Sequence, residues 1–244
     1  MASTGWPCPP LQSYAKLSVL SVSPSLGPAS GGSTLRITGE GLRDSAGLCA
    51  LFVSGEHRSV VPAAFDAFAG AAVCSTPEWA IGAAGDDAIV EVSLNGQEWT
   101  FSCHHFKFYT FAAASVEPAA GPLGGGTQLS IRGSGVPQGA TPRVRFTRTV
   151  AGGAPVALEV EGAMADGAVV CASPAFAGAT EPFDAEIALA LNGVTFMPVL
   201  LQLPEAEAEV GQGEAPPLKA VVKAVANAVG ATFRYEASAA AKRK

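Results

Sequence analysis

The chain has 244 residues, 48% of them hydrophobic and 15% charged, with a formal net charge of −6. That is one or two domains' worth of chain with enough apolar material for packed cores, which excludes global disorder. The acidic balance excludes the broad basic face of a nucleic-acid or anionic-membrane binder. With 28 Gly and 18 Pro beside only 7% aromatic residues, tight turns are favoured over long helices and the expected fold class is all-β.

No apolar run approaches the roughly 20 residues that cross a bilayer. The runs around Leu51 to Val53 and Val199 to Leu201 are strand-sized, so no membrane span is expected. Residues 1–14 read as an N-terminal extension without the basic and apolar regions of a secretory signal. The five cysteines, Cys8, Cys49, Cys74, Cys103 and Cys171, then read as reduced thiols in a cytoplasmic protein.

An internal repeat organises the chain from residue 15 to about residue 204. The stretch from Ser23-Pro24 through Gly27-Pro28 and Gly31-Gly32-Ser33-Thr34-Leu35-Arg36-Ile37-Thr38-Gly39-Glu40-Gly41 returns from Glu117-Pro118 through Gly121-Pro122 and Gly125-Gly126-Thr127-Gln128-Leu129-Ser130-Ile131-Arg132-Gly133-Ser134-Gly135, 94 positions on. Val73-Cys74-Ser75-Thr76-Pro77 returns as Val170-Cys171-Ala172-Ser173-Pro174, and Leu94-Asn95-Gly96 as Leu191-Asn192-Gly193, both 97 positions on. A period this long gives each copy its own core, so two tandem domains are expected, at 15–110 and 111–204.

Within each copy, Leu35-Arg36-Ile37-Thr38 and Leu129-Ser130-Ile131-Arg132 alternate as half-buried strands. The Gly-Pro and Gly-Gly pairs before them supply turns. Ala88 to Leu94 running into Asn95-Gly96 reads as a strand entering a type I′ hairpin, repeated at Asn192-Gly193. Strands every 8 to 12 residues, with no internal helix, have the rhythm of a seven-stranded sandwich. Only Ala112-Ala113-Ala114-Ser115 is left to join the two copies, a linker too short to be slack.

Pro-x-x-Gly-Pro-x-x-Gly-Gly-[Ser/Thr]-x-Leu-x-Ile-x-Gly-x-Gly, then Val-Cys-x-[Ser/Thr]-Pro, then Leu-Asn-Gly, resembles the IPT/TIG family of immunoglobulin-like domains over roughly residues 18 to 203. The resemblance implies tandem immunoglobulin-like β-sandwiches of the kind found in plexin-type receptors, transcription factors, proteins beside carbohydrate-active enzymes, and large ciliary or cytoskeletal scaffolds. Extracellular relatives often bond their cysteines, whereas the second copy has Cys171 alone. The resemblance therefore implies the intracellular branch: a non-enzymatic scaffold whose partners are other proteins of a cytoskeletal or ciliary axonemal assembly. Two other readings stay open, a carbohydrate-binding sandwich and a DNA-binding domain of the transcription-factor type. The second sits badly with 9 basic and 16 acidic residues across 15–204.

Candidate chemistry is sparse. On a strand His104 and His105 point to opposite faces, and Cys103 with His105 offers two ligands where zinc takes three or four, so no metal site is expected. The histidines, His57, His104 and His105, fall in no catalytic pattern, and neither an active site nor a cofactor is expected. The Gly-rich runs Gly31-Gly32 and Gly124-Gly125-Gly126 lack the Lys-Ser/Thr of a phosphate loop and read as turns. Cys74 and Cys171 read as packing residues. Trp79 and Trp99 could form a platform for a sugar ring or serve as core, and Phe176 and Phe196 stand at the matching positions.

Residues 205–217 read as an acidic Pro/Gly linker, and 218–244 as an amphipathic helix with a basic tail. Leu218, Val221, Val222, Val225 and Val229 fall on one stripe, Gly230 follows as a stop signal, and Lys242, Arg243 and Lys244 close the chain. So short a helix needs a surface, its own sandwich or a partner, or else stays disordered. These eight residues are the partner-binding candidates, and deleting 205–244 is expected to leave both sandwiches folded.

Overall fold

The computed structural model describes residues 16–84, 86–150, 152–202 and 228–237, and the described chain is almost entirely β-structure. The first unit contains β1 (Ser18–Ser23), β2 (Leu26–Pro28), β3 (Thr34–Glu40), β4 (Cys49–Ser54), β5 (His57–Asp66), β6 (Ala71–Ser75), the helical turn α1 (Ile81–Ala84), β7 (Asp87–Ser93) and β8 (His105–Tyr109). Two sheets, ordered β1-β3-β6-β5 and β5-β4-β7-β8-β2, share the ten-residue β5. Its first half pairs with β4 and its second with β6.

The alternation expected of β3 places Leu35 and Ile37 on the inner face, both fully buried. They meet Phe52, Val90, Phe106 and Phe108 from the opposite sheet. Aromatic geometry fixes the centre of this core: Phe52 and Phe106 meet edge-on at 5.8 Å, and Trp79 stacks on Phe108 at 4.7 Å. Gly31 and Gly125 take positive φ, 74° and 71°, against the backbones of Pro77 and Pro174, where a Cβ would approach to 2.6 and 2.7 Å. Both glycine-rich runs are turns, as expected.

The second unit repeats the plan with β9 (Ala112–Glu117), β10 (Ala120–Pro122), β11 (Gln128–Ser134), β12 (Arg143–Arg148), β13 (Val156–Glu161), β14 (Ala163–Ala165), β15 (Ala168–Ala172), β16 (Phe183–Ala190), β17 (Met197–Pro198), β18 (Leu200–Gln202), β19 (Ala228–Gly230) and β20 (Thr232–Glu236). Its sheets run β14-β15-β11-β9-β18-β19 and β10-β20-β16-β12-β13, with β17 on β16. Thr110 and Phe111 alone separate β8 from β9, so the residues expected as linker, Ala112 to Ser115, are already strand.

Two expectations fail for identifiable reasons. The Asn-Gly turns are not type I′, because Gly96 and Gly193 take positive φ (71° and 70°) while the asparagines do not. Instead Asn95 Oδ1 accepts from the backbone N–H groups of Gln97 and Glu98, and Asn192 Oδ1 from those of Val194 and Thr195. This Asx geometry turns the chain into a longer loop before β8 begins at His105.

The second failure concerns the end of the second sandwich. Residue 204 does not close it. β20 is paired antiparallel with β16 and parallel with β10, as β8 is with β7 and β2. Phe233 and Tyr235 on β20 therefore stand where Phe106 and Phe108 stand on β8, and both are fully buried. Within 218–244, residues 228–230 and 232–236 are strand. Of the helical stripe expected over Leu218 to Val229, only Val229 lies within the described residues, on β19, and beyond it Thr-Phe-Arg-Tyr-Glu alternates at the period of two that belongs to a strand.

Besides the three residues by which the offset grows from 94 to 97, the repeats diverge near the end of each unit. Val90 N–H donates to the His104 carbonyl in the first unit, and Ile187 N–H to the Ala231 carbonyl in the second. Ser102 Oγ donates to the Val90 carbonyl, and Val199 N–H to the Ile187 carbonyl. Between these matched anchors the first unit has Cys103 alone, whereas the second has residues 200–230. The two ends of that insertion pair with each other as β18 and β19, and β18 lies parallel to β9 at Leu201 and Ala113.

Candidate functional site

Three places gather polar or exposed groups beyond what a core requires. The first is the junction between the sandwiches. Asn192 is only 5% exposed. Its Nδ2 donates to the Leu26 carbonyl at 3.2 Å and to Ser33 Oγ at 3.4 Å, while Thr195 Oγ1 donates to Ser33 Oγ at 2.7 Å. Leu26 and Tyr109 of the first unit belong to the hydrophobic cluster of the second. Burial pushes the Tyr109 hydroxyl up to about 12, and it faces the Leu191 backbone without closing a bond of ordinary geometry. Buried hydrogen bonds and shared apolar packing fix the angle between the two units.

The second place is the strand-like segment from Thr100 to His104. Glu91 is buried on β7, where its carboxylate accepts from Thr100 Oγ1 at 2.5 Å and from Ser102 N–H at 2.9 and 3.0 Å. Thr100 N–H donates to the Val92 carbonyl, and Val92 N–H to Thr100 Oγ1. These bonds lock the segment while its alternation turns Phe101 outward, fully exposed at 102%. A buried carboxylate held by these donors is costly to place, and here it positions a loop. Counting back by twos from the inward Phe106 puts His104, Ser102 and Thr100 inside and Phe101 outside, a signal present in the sequence. Phe68, at the tip of the β5–β6 hairpin, is equally exposed, and Asp66 Oδ1 accepts from the N–H groups of Phe68 and Ala69. Those bonds, with Arg36 beside it, hold the Asp66 carboxyl below the usual carboxylate range.

The third place is a groove of about 430 Å³ at the Leu94-Asn95 corner, lined by Lys16, Leu17, Arg43, Glu98 and Trp99. Trp99 is half-buried in it, and its counterpart Phe196 carries the Arg145 guanidinium over its ring at 3.8 Å. Trp79 is a core residue at 3% exposure, as is Phe176 in the second unit. The two tryptophans therefore form no joint platform for a sugar.

The histidine pair behaves as strand geometry dictates. His104 Nε2 lies 3.2 Å from the Val19 carbonyl, and His105 Nδ1 3.0 Å from Asp87 on the other face. Cys49, Cys74, Cys103 and Cys171 are free thiols. Burial pushes Cys74 up to about 12 and Cys171 up to about 11, which leaves almost no thiolate at neutral pH. Iodoacetamide at mildly alkaline pH is therefore expected to modify the exposed Cys103 in native protein and to reach Cys74 and Cys171 only after denaturant. Peptide mapping that finds Cys171 alkylated as fast as Cys103 would contradict this packing.

Of the partner-binding candidates in the tail, Leu218, Val221, Val222, Val225, Lys242, Arg243 and Lys244 lie outside the described residues. Val229 lies on β19, opposite Leu201.

No family model matches the chain, and no curated protein matches it. Among solved structures it is similar to the plexin A4 full extracellular region, domains 1 to 10, at 16% identity and a TM-score of 0.49, covering 82% of this chain and 18% of that one. It is also similar to a second plexin A4 extracellular structure, domains 1 to 8, at 22% identity and a TM-score of 0.43, covering 76% and 19%. A third likeness is to the complex of Dpr11 IG1 with DIP-gamma IG+IG2, at 10% identity and a TM-score of 0.27, covering 66% of this chain and 98% of that one. This chain spans less than a fifth of the plexin chains it matches.

Proposed function

We propose that this chain is a non-enzymatic protein–protein interaction module, a rigid tandem pair of IPT/TIG-like sandwiches that serves as a structural component of a larger assembly. The observation that carries the reading is Phe101. A fully exposed aromatic side chain on a segment already locked by Glu91 loses little conformational freedom on binding, the property of an anchor residue in a protein interface. Phe68, on its capped hairpin tip, offers a second anchor of the same kind.

The finer reading is an intracellular scaffold in a cytoskeletal or ciliary axonemal assembly. Unbonded thiols in matched core positions, Cys74 and Cys171, support the reducing compartment that it requires.

Affinity purification with cross-linking from cells tests the interaction reading. Phe101→Ser and Phe68→Ser should leave folding intact and remove partners captured by the parent chain. A doubly substituted chain that still captures every partner would sink the proposal, and recovery of secreted or cell-surface proteins alone would overturn the intracellular placement.

A further inference from the structure

The junction between the two sandwiches is a docking arrangement of which the chain carries each half twice. Its accepting pole, on the first unit, consists of the Leu26 carbonyl, Ser33 Oγ and Tyr109. Its donating corner, on the second unit, consists of Leu191, Asn192 and Thr195. Strand pairing fixes the counterparts. Leu26 matches Ala120 and Tyr109 matches Glu236, because β2 runs along β8 as β10 runs along β20. Ser33 matches Thr127 at the offset of the first motif, and Asn192 and Thr195 match Asn95 and Glu98 at the offset of the last.

Burial separates the used halves from the unused ones. Ser33 is fully buried and Asn192 nearly so, whereas Thr127 is half-buried and Asn95 is exposed. Asn95 makes the same turn with Oδ1 as Asn192 does, yet its Nδ2 engages no acceptor among the described residues. The unused corner also opens into the groove lined by Lys16 and Arg43. The unused pole carries the exposed Glu236 where the used one carries Tyr109.

We infer that the second sandwich of one copy docks head to tail on the Leu94-Asn95 corner of the next copy. Asn95 Nδ2 donates to the Ala120 carbonyl and Thr127 Oγ1, Thr127 Oγ1 donates to the Glu98 carboxylate, and Glu236 meets the Lys16 and Arg43 side of the groove. The occupant is a second copy of this chain because its free pole presents the counterparts of the residues seated at the internal junction, and because an acidic side chain replaces tyrosine opposite a basic groove. A contact between two different patches does not close on itself at the dimer, so the product is an open chain of copies. This contact is read on purified protein, so its failure leaves the capture test at Phe101 standing.

Sedimentation velocity on the purified chain at low salt, up to about 0.1 mM, is the measurement, since weak transient interfaces populate in that range. Growth beyond a dimer with rising concentration, suppressed by salt, is expected. Asn95→Asp keeps the oxygen that holds the turn and removes the amide donor, and should weaken association by about tenfold or more. Glu236→Lys, on an exposed side chain, should weaken it comparably, and adding Lys16→Glu should restore it. Carbodiimide treatment of mixed light and isotopically heavy protein should join Lys16 of one copy to Glu236 of another. A chain that stays monomeric throughout, or whose association is unchanged in both single variants, would overturn the inference.

Discussion

Deleting residues 205–244 is expected to unfold the second sandwich while the first stays folded. The deletion removes β20, and with it Phe233 and Tyr235, both fully buried against Phe146, Phe176 and Phe183. Losing one buried aromatic ring typically costs about 3 to 5 kcal/mol, and a whole domain is stable by about 5 to 15. Two rings and a central strand together therefore exceed what a unit of this size can lose. Calorimetry of the truncated chain should show one transition, that of the first sandwich, with dye-binding apolar surface exposed from the second. Excising only residues 204–226 and bridging the gap with a short Gly-Ser linker should leave both transitions in place, because the first unit closes the same gap with Cys103 alone. A truncated chain that retains two cooperative transitions would show that β20 does not belong to the core that it completes here.

A second large effect is expected at Asn192. Replacing it by Asp keeps the oxygen that accepts from Val194 and Thr195, so the turn should survive. The lost Nδ2 leaves the Leu26 carbonyl facing a buried carboxylate, and burying an uncompensated charge costs several kcal/mol unless the structure opens. The junction should open. Small-angle scattering should then report a wider spread of inter-unit angles, and each sandwich should keep its own melting transition. An unchanged scattering profile would mean that the apolar contacts of Leu26 and Tyr109 hold the junction without the asparagine. The same substitution at Asn95, on the open corner, should leave the monomer's shape and stability nearly untouched, since no buried acceptor faces it among the described residues.

The repeat itself was legible from residues alone. Alternation in Leu35-Arg36-Ile37-Thr38 and Leu129-Ser130-Ile131-Arg132 is a local property, and a strand that faces a core on one side needs nothing more to declare its inner residues. The glycine pairs were legible for a similar reason: few residues besides glycine accept positive φ against a neighbouring backbone, so Gly31 and Gly125 mark their turns whatever surrounds them. The packing role of Cys74 and Cys171 followed from their matched positions in the two copies.

Tertiary structure decided the rest. Whether Asn95-Gly96 makes a two-residue hairpin depends on what the next segment pairs with, and Glu91 gathers Thr100 and Ser102 into a longer return that the dipeptide cannot announce. The last strand of the second sandwich was hidden because an insertion displaces it from the spacing set by the first copy, and the segment just before it was read as a helix that stops at Gly230. Only the pairing of β20 with β16 and β10 returns Phe233 and Tyr235 to the places of Phe106 and Phe108. The two asparagines show the division most directly. Their identical tripeptides determine the same turn, but which amide nitrogen is buried against a neighbouring sandwich is a property of where the chain brings the units together, and no local pattern encodes it.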